Sequence, residues 1–228
     1  MICVTVAERT VQACIAALKG LSFAEIRLDA MDVAPCDVGL IFSRGKRLVA
    51  TCRPGRFSDD ERRELLMTSI EEGASFVDLE VESDDEYRES IAGRARSKGC
   101  KVIVSFHDYE KTPERGELQR IIARCFELGA DVAKIACRLN SGKDAARLIG
   151  LLDSASPTVV IGMGPEGGIT RVIAPLLGSP FTYGAVKKGR EVVDGQLDHR
   201  TIGRALDCLL RETSGTGTDP TKEGSQEV

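Results

Sequence analysis

An α/β barrel of parallel strands is the fold this sequence predicts, and three observations carry the prediction. Short β-branched runs alternate eight times with longer helical patterns, which implies parallel strands joined by crossover helices. The runs are nearly continuous in apolar residues, as strands buried on both faces must be. The first strand is followed by Ala7, Glu8, Arg9 and Thr10, so the glycine-rich dinucleotide turn of a doubly wound open sheet is missing. Eight such units within residues 1–212 fit a single closed (β/α)8, or TIM, barrel at the short end of its size range.

The units follow in order. Ile2 to Val6 form the first strand, and 10–19 carry the first helical pattern. Residues 24–28 alternate Ala24, Ile26 and Leu28 with Glu25 and Arg27, ahead of a helix at 35–44. The third strand, 47–52, centres on Leu48 and Val49 and precedes a helix at 59–72. Phe76, Val77 and Leu79 mark a strand at 75–80, and 84–98 read as helix. Val102, Ile103 and Val104 give a strand at 101–106, with a helix at 114–128. The sixth unit is 131–136 with 142–152, the seventh 158–162 with 168–176, and the eighth 181–185 with 199–211. Residues 213–228 show no hydrophobic periodicity and are expected to form a disordered tail outside the barrel.

Composition narrows the function classes. Of the 228 residues, 42% are apolar and 29% charged, enough for a sizeable core and incompatible with disorder over most of the chain. The net charge of −4 comes from 31 basic and 35 acidic residues that are interspersed, which argues against nucleic acid as a partner. No apolar run reaches the ~18 residues of a membrane span, and the N-terminus lacks a basic, then apolar, leader pattern. The eight cysteines sit mostly in apolar runs, none in a Cys-x-x-Cys pair, so reduced thiols in a cytoplasmic setting are expected rather than disulfides or a metal ribbon.

Polar residues concentrate at the C-terminal ends of the strands. Residues two apart on a strand share a face, so Glu25, Arg27 and Asp29 go together, as do Thr51 and Arg53, Asp78 and Glu80, and Ser105 and His107. In a barrel these faces meet at the top of the interior, where barrel enzymes react. Many charges in one apolar mouth are unfavourable unless paired or used.

Lys134 is the sharpest single signal, lying in an apolar strand between Ala133 and Ile135. Burial and cationic neighbours such as Arg27 or Arg53 are expected to lower its pKa and free a nucleophilic amine. An amine that attacks a ketone forms a Schiff base, whose protonated imine acidifies the adjacent C–H. The plain structural alternative is a lysine paired with Glu80 or reaching to the rim. His107, at the end of the preceding strand, is the natural proton carrier beside it. The other histidine, His199, reads as a surface residue at a helix start. Residues 161–171 form a glycine-rich loop that runs into a helix, where backbone N–H groups can hold an anion and Arg171 supplies a carboxylate or phosphate fork. The charged, glycine-containing segment 187–196, ending in Gly195 and Gln196, reads as a mobile lid.

These stretches together resemble the type I 3-dehydroquinate dehydratase family. The matching segments are Glu25 to Asp29, Ala50 to Arg53, Val77 to Glu80, Val104 to Pro113, Gly129 to Ala136, Gly162 to Arg171, and Gly195-Gln196, in the family's order over about residues 1–206. The resemblance implies a (β/α)8 barrel that removes water from 3-dehydroquinate to give 3-dehydroshikimate. It implies Lys134 as the Schiff-base residue and His107 as general acid and base. Arg171 and Gln196 would hold the substrate carboxylate, while Glu25, Arg27 and Arg53 would bind ring hydroxyls and Thr5 would line the floor. It implies no metal and no organic cofactor, and commonly a homodimer.

Two departures accompany it. Where the family has a glutamate that orients the histidine, this chain has Phe57 in a shortened loop, and Asp78 or Glu80 is the expected substitute. The lid reads Val192-Val193-Asp194-Gly195 in place of a serine-containing segment, which is expected to bring the negative Asp194 near the carboxylate site and weaken KM. Two other readings stand beside this one. An aldolase-like Schiff-base barrel would need a phosphate nest at the last two strands, and a non-catalytic metabolite-binding barrel would form no covalent adduct.

Overall fold

The computed structural model describes residues 1–44 and 46–214, with side chains of the last helix described to Arg211. The strands are β1 (Ile2–Val6), β2 (Phe23–Arg27), β3 (Arg47–Thr51), β4 (Phe76–Glu80), β5 (Lys101–Asp108), β6 (Val132–Arg138), β7 (Thr158–Met163) and β8 (Thr182–Ala185). The helices are α1 (Val11–Ala17), α2 (Pro35–Phe42), α3 (Asp59–Glu71), α4 (Asp85–Ser97), α5 (Arg115–Glu127), α6 (Gly142–Ile149), α7 (Gly168–Leu176) and α8 (His199–Ser214). Every strand pairs in parallel, in the order β7-β6-β5-β4-β3-β2-β1-β8, so β8 folds back onto β1.

The barrel is nearly closed. Among the described residues β7 and β8 share no ladder, and Arg171 spans them, donating from Nη1 to the Tyr183 carbonyl (3.0 Å) and from Nη2 to the Gly162 carbonyl (3.5 Å). The eight-unit α/β barrel read from the sequence is therefore the observed architecture. Local chemistry explains the helix starts. Thr10 caps α1, Pro35 opens α2, and Ser58 with Glu61 forms a reciprocal capping box on α3.

Strand ends differ from expectation where they carry function. β5 runs two residues further than 101–106, so His107 is a strand residue held by the β6 ladder opposite Ala136. β2 stops at Arg27, because Leu28–Ala30 turn into a 3-10 helix that folds Asp29 back toward Arg27. The helix expected at 142–152 ends as a 3-10 turn over Gly150–Asp153. Of the expected tail, only 213 and 214 fall within the described residues, at the end of α8.

Two apolar layers hold the fold. The outer one fills the space between strands and helices. The inner one plugs the lower barrel with Phe23, Phe76 and Phe181, with Phe23 meeting Phe181 edge-on at 5.1 Å. The Arg47 guanidinium covers this plug from below, 4.8 Å from the Phe23 ring centre. Everything polar in the interior is displaced above it, toward the C-terminal mouth. All eight cysteines are free, and burial pushes the Cys14, Cys52, Cys125 and Cys137 thiols up to about 12, where they are inert packing groups. No helix among the described residues is long and apolar enough to cross a membrane.

Candidate active site

Parallel register stacks the polar strand ends into a network. Asp78 on β4 is its hub: Oδ1 accepts from Ser105 Oγ (2.6 Å) and from Arg53 Nη2 (2.9 Å), and Oδ2 accepts from Lys134 Nζ (3.0 Å). Burial alone would raise the Asp78 pKa, but Arg53 and then Lys134 hold it well below the usual carboxylate range. Arg53 also reaches Ser105 (3.0 Å) and Glu80 (3.5 Å), and these carboxylates outweigh its burial and raise its pKa. Glu80 is shared with Arg62 at 3.8 Å.

Lys134 is 6% exposed. Besides Asp78, Glu25 lies 3.7 Å from Nζ, and the Tyr183 ring centre lies 4.5 Å away. Its immediate neighbours are thus carboxylates and an aromatic face, not the repelling arginines expected from the sequence. Arg53 is intercepted by Asp78, and Arg27 by Asp29, which it grips with Nε at 2.9 Å and Nη2 at 2.6 Å. Glu25 is itself fixed by Thr5 Oγ1 and Thr51 Oγ1, each donating at 3.0 Å.

His107 sits one layer above Ser105 on the same face of β5. Burial, then the positive charges of Arg53 and Lys134, push its pKa well below 6.5, so the imidazole is neutral at physiological pH. Its Nδ1 is buried without a hydrogen-bond partner among the described residues. Among the described residues no hydrogen bond joins it to Asp78 or Glu80, the carboxylates expected to orient it, and Arg53 engages both. Phe57 does not enter the site either. It packs on the outer core, with the Arg56 guanidinium 5.0 Å from its ring centre.

Arg171 is 1% exposed and has no ion-pair partner among the described residues. Its burial lowers the pKa to about 10, against a smaller opposing pull from Glu25, and its Nε is unpartnered. A buried guanidinium without its own carboxylate is suited to receive one from a ligand. Three amides of the glycine-rich loop are already engaged within the protein. The Gly162 amide donates to Thr170 Oγ1 (2.8 Å), that of Gly164 to the Asp194 carbonyl (2.9 Å) and that of Gly167 to the Gly164 carbonyl (2.9 Å).

The lid lies over the mouth. Val192 and Val193 face the cavity, and the Gln196 side chain ties them down, accepting from the Val192 amide (2.9 Å) and donating to Thr5 Oγ1 (3.2 Å). Asp194 does not approach the anion site as expected. Its exposed carboxylate points toward Arg138 at 4.0 Å. Gly195 has φ +76°, and a Cβ there would lie 1.8 Å from the Gly164 carbonyl oxygen. Gly195→Ala is accordingly expected to push the lid off its seat and lower kcat/KM about 10²-fold, with the unfolding temperature little changed. Steady-state kinetics beside a thermal melt check this, and kinetics equal to the parent enzyme would refute it.

Thr5, Glu25, Arg27, Arg53, His107, Lys134, Arg171 and Gln196 all line one cavity. Asp78 and Glu80 lie behind it. Val192 and Val193 of the lid also line it, as do Tyr109, Tyr183 and Met163, which the sequence reading does not single out. For Tyr183 and Met163 the signal was strand alternation, since each lies two residues from an inward Phe181 or Ile161.

The fold and the site define an enzyme: an α/β barrel whose buried lysine, neutral histidine and unpaired arginine face one cavity at the C-terminal mouth. The model for type I 3-dehydroquinase matches residues 2–212, and the chain belongs to this family of 3-dehydroquinate dehydratases. A 3-dehydroquinate dehydratase of Methanopyrus kandleri is 34% identical over 224 residues, spanning 92% of this chain and 100% of that protein. The one from Methanothermobacter thermautotrophicus is 38% identical over 202 residues, spanning 85% and 87%. The crystal structure of type I 3-dehydroquinate dehydratase from Clostridium difficile, with covalently modified comenic acid, is similar at a TM-score of 0.82 and 25% identity over 92% of each chain.

Proposed function

We propose that this enzyme dehydrates 3-dehydroquinate through a Schiff base on Lys134, with His107 moving the protons. The observation that carries the reading is a buried lysine and a neutral imidazole on adjacent strands, facing the same cavity as an unpaired arginine. Lys134 gives a proton to the imidazole, and its amine adds to the substrate ketone. The resulting carbinolamine hydroxyl takes that proton back from the imidazolium and leaves as water, giving an iminium at the former carbonyl carbon and a neutral imidazole again. His107 then takes the proton from the neighbouring carbon, and the electron pair is held as an enamine. That pair expels the β-hydroxyl, which leaves as water with the proton from His107. Hydrolysis of the remaining imine returns the ketone product and the free lysine.

Arg171 and Gln196 hold the substrate carboxylate, which anchors the ring under the lid. Glu25 and Arg27 meet ring hydroxyls, and Thr5 supports the floor by fixing Glu25 and Gln196 together. Arg53, with both terminal nitrogens engaged by protein groups, contributes to the hydroxyl subsite mainly by holding Asp78 and Ser105 in place. The same reading places the enzyme in the cytoplasm, supported by its free thiols. It makes the enzyme a homodimer, supported by the exposed Ile169, Leu176 and Leu177 on and beside α7.

The proton-transfer role is tested at His107. His107→Ala is expected to lower kcat about 10²–10⁴-fold. In the parent enzyme the acid limb of kcat/KM falls below pH 6.5, because a base with a lowered pKa stays unprotonated further into acid. An alanine variant with parental kcat, or an acid limb at or above pH 6.5, contradicts the assignment.

A further inference from the structure

We propose that Tyr109 is the positioning residue for the His107 imidazole: its ring, stacked on the imidazole, fixes the plane of a base that no hydrogen bond holds at Nδ1. This rests on the reading of His107 as the proton carrier and adds the group that orients it. A catalytic histidine is ordinarily oriented by a hydrogen bond at its second ring nitrogen. Here that nitrogen has no partner among the described residues, Asp78 and Glu80 are engaged by Arg53, and Glu25 is held by Thr5, Thr51 and Lys134. The two rings lie nearly parallel, 12° apart, with centres separated by 6.0 Å, an offset arrangement that aromatic pairs favour.

The surrounding backbone keeps the ring there although Tyr109 is 62% exposed. Asp108 Oδ1 accepts from the amides of Glu110 (2.9 Å) and Lys111 (3.0 Å), closing a tight turn just after β5. Asn140 Nδ2 then pins that turn to the β6 end through the Glu110 carbonyl at 2.8 Å. Tyr109 and His107 both line the cavity, so removing the ring opens the stacked side of the imidazole to water. The charged groups acting on His107 come from other strands: Arg53 after β3, Lys134 on β6 and Arg27 at the end of β2 oppose its protonation, and Asp78 on β4 favours it. Tyr109 adds no charge to this set. Its part is steric order and exclusion of water.

The experiment is a direct titration of the imidazole by NMR in histidine-labelled enzyme, with His199 as internal reference, beside steady-state kinetics. Tyr109→Phe keeps the ring and is expected to leave the His107 midpoint unchanged. Tyr109→Ala uncovers the imidazole and is expected to raise its midpoint by about one unit toward the ordinary value. It also lowers kcat roughly 10-fold or more while KM stays within about twofold. A thermal melt equal to the parent's confirms that the exposed site has not disturbed the barrel. If the Tyr109→Ala midpoint coincides with the parent's, Tyr109 does not order the imidazole and the proposal is overturned. If the midpoint moves while kcat does not, Tyr109 still governs the imidazole and it is the catalytic assignment of His107 that fails.

Discussion

Lys134→Ala is expected to reduce kcat on the order of 10⁶-fold, the scale of loss when an enzyme is deprived of its covalent nucleophile. No other amine in the cavity can take over. Arg171, Arg27 and Arg53 remain guanidinium ions, which do not form imines under these conditions. For the same reason Lys134→Arg is expected to preserve the charge beside Asp78 and Glu25 and still show no turnover. The arginine variant separates loss of chemistry from loss of the ion-pair network, because only the former is common to both. Turnover by either variant within about 10²-fold of the parent would exclude a Schiff-base route, since loss of a covalent nucleophile costs far more than that.

Asp78→Asn is expected to destabilise the fold by about 3–5 kcal/mol at pH 7, the range for removing one partner of a buried charge cluster. Its side chain is shielded from solvent and holds Arg53, Lys134 and Ser105 at once, so the substitution leaves two buried cations short of a counter-charge. The pH dependence has a definite sign. The Asp78 pKa is depressed in the folded protein relative to the ordinary aspartate value of 3.8. Its ionic contribution is therefore complete above about pH 5, and it fades as the pH falls through 3.8 toward the folded value. Urea unfolding of parent and variant should show a constant gap between neutral pH and about pH 5, narrowing only in stronger acid. A gap under about 1 kcal/mol at pH 7 would mean that Arg53 and Lys134 find other counter-charges and that Asp78 is not the hub.

The barrel was legible because its signals are local. Eight apolar runs with helices between them leave few alternatives, and period-two alternation puts Glu25, Asp78, Ser105, His107 and Lys134 on inward faces. What alternation does not carry is the lateral choice among neighbours. Asp78 and Glu80 were read as acceptors for His107, but the register sets them against Arg53, whose guanidinium takes both. Arg27 was read as a charge facing Lys134, yet the turn beginning at Leu28 brings Asp29 back onto it. Loop side chains were the least readable. Asp194 faces outward and the valines beside it inward because Gly195 packs on Gly164, a contact between segments that are far apart in sequence. The glycine-rich loop after β7 shows the same limit, since the Gly162, Gly164 and Gly167 amides bond to Thr170, the lid and the loop itself.

The central claim is that Lys134 becomes covalently joined to the substrate ketone during turnover. Intact-protein mass spectrometry after borohydride reduction in the presence of 3-dehydroquinate tests it directly, with Lys134→Ala run in parallel. The account predicts a stable adduct on the parent enzyme, mapped by peptide analysis to Lys134, and none on the alanine variant. An adduct of the same yield on the alanine variant, or parent enzyme that turns over 3-dehydroquinate without ever being trapped, would contradict it.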